Sequence, residues 1–208
     1  MKLAVIIGST RPGRMTPRQA TWIANTANKL EGVEASVVDL QDYPLPFFNE
    51  AISPRYNPQR QVTPDVQKWL DAVGSFDAYV FVTPEYNHSI PGELKNAFDY
   101  LTWEMQHKPA AVASHGSAGG ARAAMMLKEI LSEGQAVVVP KFSAVAGMSS
   151  LIDEAGSLSA EAAANPYGPQ AQLDVMLEEL RWYSDALATA RRADEAVEEV
   201  LDASEVEA

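Results

Sequence analysis

Short apolar runs alternate with segments of helical spacing along most of this chain. Runs at residues 3–8, 35–40, 78–83, 110–114 and 136–139 predict five strands, several of them continuously apolar. That is the pattern of strands covered by helices on both faces. Thr16 and Pro17 predict an N-cap and first turn, after which Ala20, Ile23, Ala24, Ala27 and Leu30 share one helical face. Val66, Trp69, Leu70 and Val73 predict a second helix. Leu94, Ala97, Phe98 and Leu101 predict a third, after Pro91-Gly92. Ala124, Leu127 and Leu131 predict a fourth, with Gly134 as its C-terminal glycine. The last is the most regular, with Leu173, Met176, Leu177, Leu180, Tyr183, Ser184 and Leu187 along one face. Strand and helix repeated five times predict an α/β, doubly wound parallel sheet.

Two insertions and a tail interrupt this plan. Residues 43–64 hold Pro44, Pro46, Pro54, Pro58 and Pro64 together with Phe47, Phe48 and Tyr56. Its prolines restrict the segment, and its aromatic rings are costly to leave in water. Phe47 and Phe48 are expected to anchor it, with Tyr56 nearer a substrate pocket. Residues 143–169 are rich in Gly, Ser and Ala and read as a second long loop. Residues 1–192 are read as one domain and 193–208 as an acidic tail fraying from the last helix beyond about residue 195.

Composition narrows the function. With 47% hydrophobic and 21% charged residues the chain reads as globular, not disordered. No apolar run suits a membrane helix or a signal peptide, so the expected compartment is the cytoplasm. There is no cysteine, which excludes disulfides and redox-active thiols, so electron chemistry would need a bound cofactor. The net charge of −12 argues against nucleic acid. Seven acids and no base in residues 193–208 leave about −5 on the remainder, against which Arg11, Arg14 and Arg18 form a basic cluster.

That cluster belongs to the first candidate site, Gly8-Ser9-Thr10-Arg11-Pro12-Gly13-Arg14-Met15-Thr16, between strand one and helix one. A helix N-terminus, three hydroxyls and two arginines suit an anion, and a terminal monophosphate better than a pyrophosphate. Neither a Walker loop nor a Gly-x-Gly fingerprint is present. The second site is Thr83-Pro84-Glu85-Tyr86-Asn87-His88-Ser89-Ile90-Pro91-Gly92, a proline-restrained loop after strand three. It suits a flat heteroaromatic ring, with Tyr86 and Asn87 shaping the pocket, while His88 reads as structural or solvated and Glu85 as capping the following turn or fixing the loop. The third, His115-Gly116-Ser117-Ala118-Gly119-Gly120, is glycine-rich and reads either as a close approach to a ligand or as a tight turn. No metal site and no catalytic side chain stand out.

Together these loops resemble the NADPH-dependent FMN reductase family of the flavodoxin-like superfamily. The resemblance rests on Gly8-Ser9-Thr10-Arg11, on Pro84-Glu85-Tyr86-Asn87 followed by Pro91-Gly92-x-Leu94-Lys95-Asn96-Ala97-x-Asp99, and on residues 116–120. It covers residues 1–140 well. It implies a flavodoxin-like five-stranded sheet of order 2-1-3-4-5, bound FMN, and NADPH or NADH as hydride donor. The acceptor would be a free flavin, a quinone or an azo compound, reached by alternating transfers at one face of the flavin. It also implies that Ser9, Arg11, Arg14, Met15 and Thr16 hold the phosphate, that Pro84, Glu85, Tyr86 and Asn87 meet the pyrimidine side of the ring, and that His115, Gly116, Ser117, Gly119 and Gly120 meet its other edge. A homodimer is implied too; from the sequence itself, Trp103, Met105, Met125 and Met126 exceed what one core face requires and read either as interface residues or as part of a more deeply buried helix. A flavodoxin-type electron carrier and a non-enzymatic interaction protein are the rival readings.

Overall fold

The computed structural model describes residues 1–57 and 59–206; Pro58 and the last two acidic-tail residues, Glu207 and Ala208, lie outside it. Five parallel strands form one sheet in the order β2-β1-β3-β4-β5. They are β1 (Lys2–Ile7), β2 (Glu34–Asp39), β3 (Ala78–Pro84), β4 (Pro109–Gly116) and β5 (Val137–Ala146). All seven residues of β3 are buried, because a central strand loses both faces to helices. Only Val38 is buried on the edge strand β2, which explains its weaker apolar pattern.

Among the described residues there are seven α-helices, besides short 3-10 turns at Leu40–Asp42 and Pro54–Tyr56: α1 (Thr16–Ala27), α2 (Pro64–Gly74), α3 (Gly92–Asp99), α4 (Ala121–Glu133), α5 (Met148–Leu151), α6 (Ala160–Ala164) and α7 (Pro169–Val206). The core divides along the sheet. Ile6, Phe81 and Val112 face α2, α3 and α4 through Trp69, Leu94 and Leu127. Leu3, Val5, Ile7, Val80 and Val82 face α1 and α7 through Ile23, Leu173, Met176 and Leu180. Alternation along each strand therefore feeds two separate apolar layers.

Three expectations need correction and a fourth needs refinement. Thr16 is not the N-cap: Met15 holds that position, and Thr16 is buried in the first turn. Gly134 ends α4 with φ −64, while Gln135 takes the left-handed conformation at φ +62. Gly134 instead makes room, since a Cβ there would meet Met105 Cε at 3.0 Å. The 143–169 segment is not one loop, because β5 continues to Ala146 and α5 and α6 follow. Finally, α7 runs through Val206 rather than fraying near residue 195. Among the described residues no helix is long and apolar enough to cross a membrane.

Candidate functional site

In the order 2-1-3 the direction of winding across the sheet reverses between the parallel strands β1 and β3, so loops after β1, β3 and β4 share a crevice at the carboxyl edge of the sheet. The structure brings all three predicted loops together there. The Ser9 hydroxyl lies 3.0 Å from the Tyr86 hydroxyl, and the Arg11 guanidinium sits 5.7 Å from the Tyr86 ring centroid. Thr16 Oγ1 is 3.1 Å from His115 Nε2. The Glu85 N–H donates to the His115 carbonyl at 3.1 Å. His115 thus touches the first loop with its ring and the second with its backbone.

In the first loop the three hydroxyls already have protein partners. Ser9 meets Tyr86, Thr16 meets His115, and Thr10 Oγ1 donates to Glu93 Oε1 at 2.9 Å. The backbone N–H groups of Thr10, Met15 and Thr16 donate to no acceptor among the described residues. They lie at the N-terminal end of α1, where a helix offers partial positive charge. Arg11 is exposed and adds a cation over the Tyr86 ring. Arg14, by contrast, is bound to Asp39, Gln41 and the Ser9 carbonyl. The Met15 side chain packs against the α1 and α7 layer, so only its backbone faces outward. A monophosphate fits this donor set of unpaired N–H groups and the Arg11 guanidinium, with the Glu93 carboxylate held on the Thr10 hydroxyl beside them.

The second loop is a tight hairpin. Tyr86 and Ser89 exchange both backbone hydrogen bonds, and Asn87 and His88 carry positive φ of 49 and 67, the signature of a type I′ turn. Asn87 and His88 are exposed; Pro84 is buried at the end of β3 opposite His115. The Glu85 carboxylate turns away from the first loop. It accepts from the Arg122 and Ala123 N–H groups at 3.1 and 3.4 Å and pairs with the Arg122 guanidinium. That guanidinium and the α4 N–H groups hold the Glu85 carboxyl below its usual range. The Glu85 carboxylate thus caps the start of α4, a distant helix, rather than the turn that follows it in sequence.

In the third loop, Ser117 and Ala118 form the exposed tip while Gly119 and Gly120 are buried. The Ser114 hydroxyl donates to the Gly119 carbonyl at 2.8 Å. At Gly120, with φ +74, a Cβ would lie 2.7 Å from the His115 carbonyl oxygen. This glycine therefore serves the turn itself. The His115 ring is buried, and desolvation pushes its pKa from 6.5 down to about 4. It is neutral at ordinary pH and acts as a hydrogen-bonding strut.

Tyr56 is not part of this crevice in its own chain. It lines a groove of about 480 Å³ with Arg55, Asp99, Glu129 and Glu133, and Arg55 pairs with Glu133. Glu133 ends a helix that begins beside Gly120, so Tyr56 sits roughly 18 Å down α4 from the loops. Phe47 is 86% exposed and anchors nothing. Phe48 does anchor: its N–H donates to Asn96 Oδ1 at 2.8 Å and its ring meets Tyr100 edge-on at 5.3 Å. Asp39, Gln41, Glu93 and Arg122 escaped the sequence reading. Arg122 has a local signal, following directly on the Gly119-Gly120 turn, whereas the others are joined to the site only by tertiary contact.

Residues 1–149 match the model of a protein family described as NADPH-dependent FMN reductase. The chain belongs to the NADPH-dependent FMN reductase family. Its relatives include an NAD(P)H-dependent FMN reductase of Schizosaccharomyces pombe, 35% identical over 129 residues, which are 62% of this chain and 64% of that protein. The chain thus spans slightly under two thirds of that relative. A quinone reductase of Pseudomonas putida is 30% identical over 166 residues, covering 76% of this chain and 84% of that one. Among solved structures, FerB, a flavoenzyme NAD(P)H:(acceptor) oxidoreductase from Paracoccus denitrificans, superposes with a TM-score of 0.69 at 26% identity, covering 88% of this chain and 98% of that one. The matched FMN reductase region takes in all three loops of the crevice, and it ends just after β5.

Proposed function

We propose that this protein binds FMN across the three loops and uses it as an NAD(P)H-dependent oxidoreductase. The observation that carries the reading is the first loop, where backbone N–H groups without acceptors among the described residues lead into the N-terminus of α1 and the exposed Arg11 guanidinium lies over the Tyr86 ring. FMN, when bound, would take a hydride from a nicotinamide and pass it to an acceptor such as a free flavin, a quinone or an azo compound. The protein's share is to bind and orient. Thr10, Met15, Thr16 and Arg11 hold the phosphate, with Ser9 and Tyr86 beside it. Pro84 to Asn87 and the exposed 116–118 tip flank the ring, with Gly119, Gly120 and His115 supporting that tip from beneath. No side chain in the crevice is assigned as a catalytic acid or base, because His115 is buried and engaged and the Glu85 carboxylate is paired.

Anaerobic stopped-flow mixing of the FMN-loaded protein with NADPH or NADH tests this reading. Rapid bleaching of the flavin, followed by reoxidation on adding a quinone, is the expected result. Flavin that binds but is not bleached by either nicotinamide would make the chain an electron carrier instead. Protein that takes up no flavin would make it an interaction module.

We also propose a homodimer built on the face of α3 and α4. Met125 and Met126 on α4 are 57% and 40% exposed, Trp103 in the segment after α3 is 45% exposed, and a shallow groove of about 460 Å³ runs from His88 along Arg122, Met125 and Met126. Such residues are enriched at interfaces. Met105 does not belong with them, being 1% exposed in the core. Light scattering at micromolar protein should give twice 22.6 kDa; a flavin-loaded, active monomer would overturn the proposal.

A further inference from the structure

Arg14 is a basic residue of the phosphate loop whose charge is already spent. Nη1 donates to the Ser9 carbonyl at 2.5 Å and to Asp39 Oδ1 at 2.8 Å. Nη2 donates to Asp39 Oδ2 at 2.5 Å and to Gln41 Oε1 at 2.7 Å. Four of its five N–H bonds are therefore committed, and the side chain is only 12% exposed. Its anchor is firm, since Asp39 closes β2 in register with Ile7 of β1. The peptide between Ser9 and Thr10 is planar and trans, so its carbonyl and its N–H point in opposite directions. With the carbonyl drawn toward Arg14, the Thr10 N–H is turned to the other side of the loop, where it meets no acceptor among the described residues.

We propose that Arg14 is a positioning residue, clamped by Asp39 and Gln41, that sets the Ser9–Thr10 peptide so that the Thr10 N–H faces the bound phosphate. This rests on reading the first loop as the FMN phosphate site. The clamp explains why a loop with two arginines presents only one of them, Arg11, to solvent. It also couples the end of β2, which contributes no residue to the crevice, to the donor geometry at β1.

The two possible roles of Arg14 make opposite predictions for Asp39→Asn. If Arg14 positions the loop, weakening the clamp releases the peptide, and FMN binding falls. If Arg14 were itself a phosphate ligand, removing the competing carboxylate would free the guanidinium, and FMN binding would hold or tighten. The measurement is a fluorescence titration of flavin-stripped protein with FMN and, in parallel, riboflavin, beside a thermal melt of each variant. Asp39→Asn should weaken FMN by about tenfold, the worth of one charge-assisted hydrogen bond, and riboflavin far less. Arg14→Lys keeps the charge but not the fork that spans Ser9 and Asp39, so it should lose FMN to a similar degree. FMN binding that is unchanged or tighter in Asp39→Asn overturns the proposal, as does equal weakening of FMN and riboflavin. Arg11→Ala separates the two layers of the argument. If it weakens FMN much more than riboflavin, the phosphate reading stands and the Asp39→Asn result judges Arg14 alone. If it weakens both alike, the phosphate reading itself fails.

Discussion

Replacing Gly120 by alanine should unfold the third loop and abolish flavin binding. The new Cβ would sit 2.7 Å from the His115 carbonyl oxygen, 3.0 Å from the His115 nitrogen and 3.0 Å from Ser114 Cβ. Two of those neighbours are backbone atoms of β4 at the centre of the crevice, with no flexible end to move aside. The residue also sits at φ +74, where any L side chain adds strain of about 1–2 kcal/mol. Together the clash and the strain should cost roughly 3 kcal/mol or more in a denaturant melt. Gly116→Ala, four residues earlier, is the control. Its nearest neighbours would be 3.4 and 3.5 Å away and its φ is not in the left-handed region, so stability should change by less than about 1 kcal/mol. Equal melting of the two variants would show that the turn is not held as described.

Acid should weaken this protein through His115. The buried ring has its pKa pushed down from 6.5 to about 4 by desolvation. Between those values the unfolded chain holds a proton that the folded chain refuses, so stability falls as pH drops through that window. Above 6.5 the contribution is fully present, and below about 4 both forms are protonated and the loss levels off. The shift corresponds to about 3 kcal/mol, a large share of an ordinary folding free energy. His115→Gln, which keeps a hydrogen-bonding group of similar reach toward Thr16 but cannot titrate, should be less stable at pH 7 and flatter between pH 6.5 and 4. Parallel pH profiles for the wild-type protein and this variant would remove His115 as the source.

The sequence displays the sheet and its crevice because both depend on local pattern. Continuously buried strands such as Ala78–Pro84 leave unbroken apolar runs, and loops at the carboxyl edge leave Gly, Pro and hydroxyl residues at strand ends. Features set by distant contacts are harder to see. Arg14 looks like a phosphate ligand until the fold brings Asp39 to it, 25 residues away. The Thr10 hydroxyl looks like a phosphate donor until Glu93 arrives, 83 residues on, leaving only the Thr10 backbone N–H for that role. Tyr56 looks like a pocket residue because it follows β2, yet its segment runs down α4 to Glu133. Gly134 does close α4, but the left-handed conformation that usually goes with a C-terminal glycine falls on Gln135, and the space demanded by Met105 is invisible in a linear chain. The acidic stretch after Arg192 has helical composition but no apolar signal strong enough to fix its end, which is why the last helix was expected to stop short of Val206.

The links among the three loops are made by the protein itself, Ser9 to Tyr86, Thr16 to His115 and Glu85 to His115, and Arg14 ties the first loop to Asp39 at the end of β2. The crevice therefore holds its shape through bonds that no cofactor needs to complete. A loop ordered only by its ligand charges the binding step for every residue it freezes, about 1–2 kcal/mol of backbone entropy each. Here that cost falls on folding instead, so loading a flavin would resemble filling a rigid mould rather than folding around a template. Its heat-capacity change would reflect the flavin surface covered and little else.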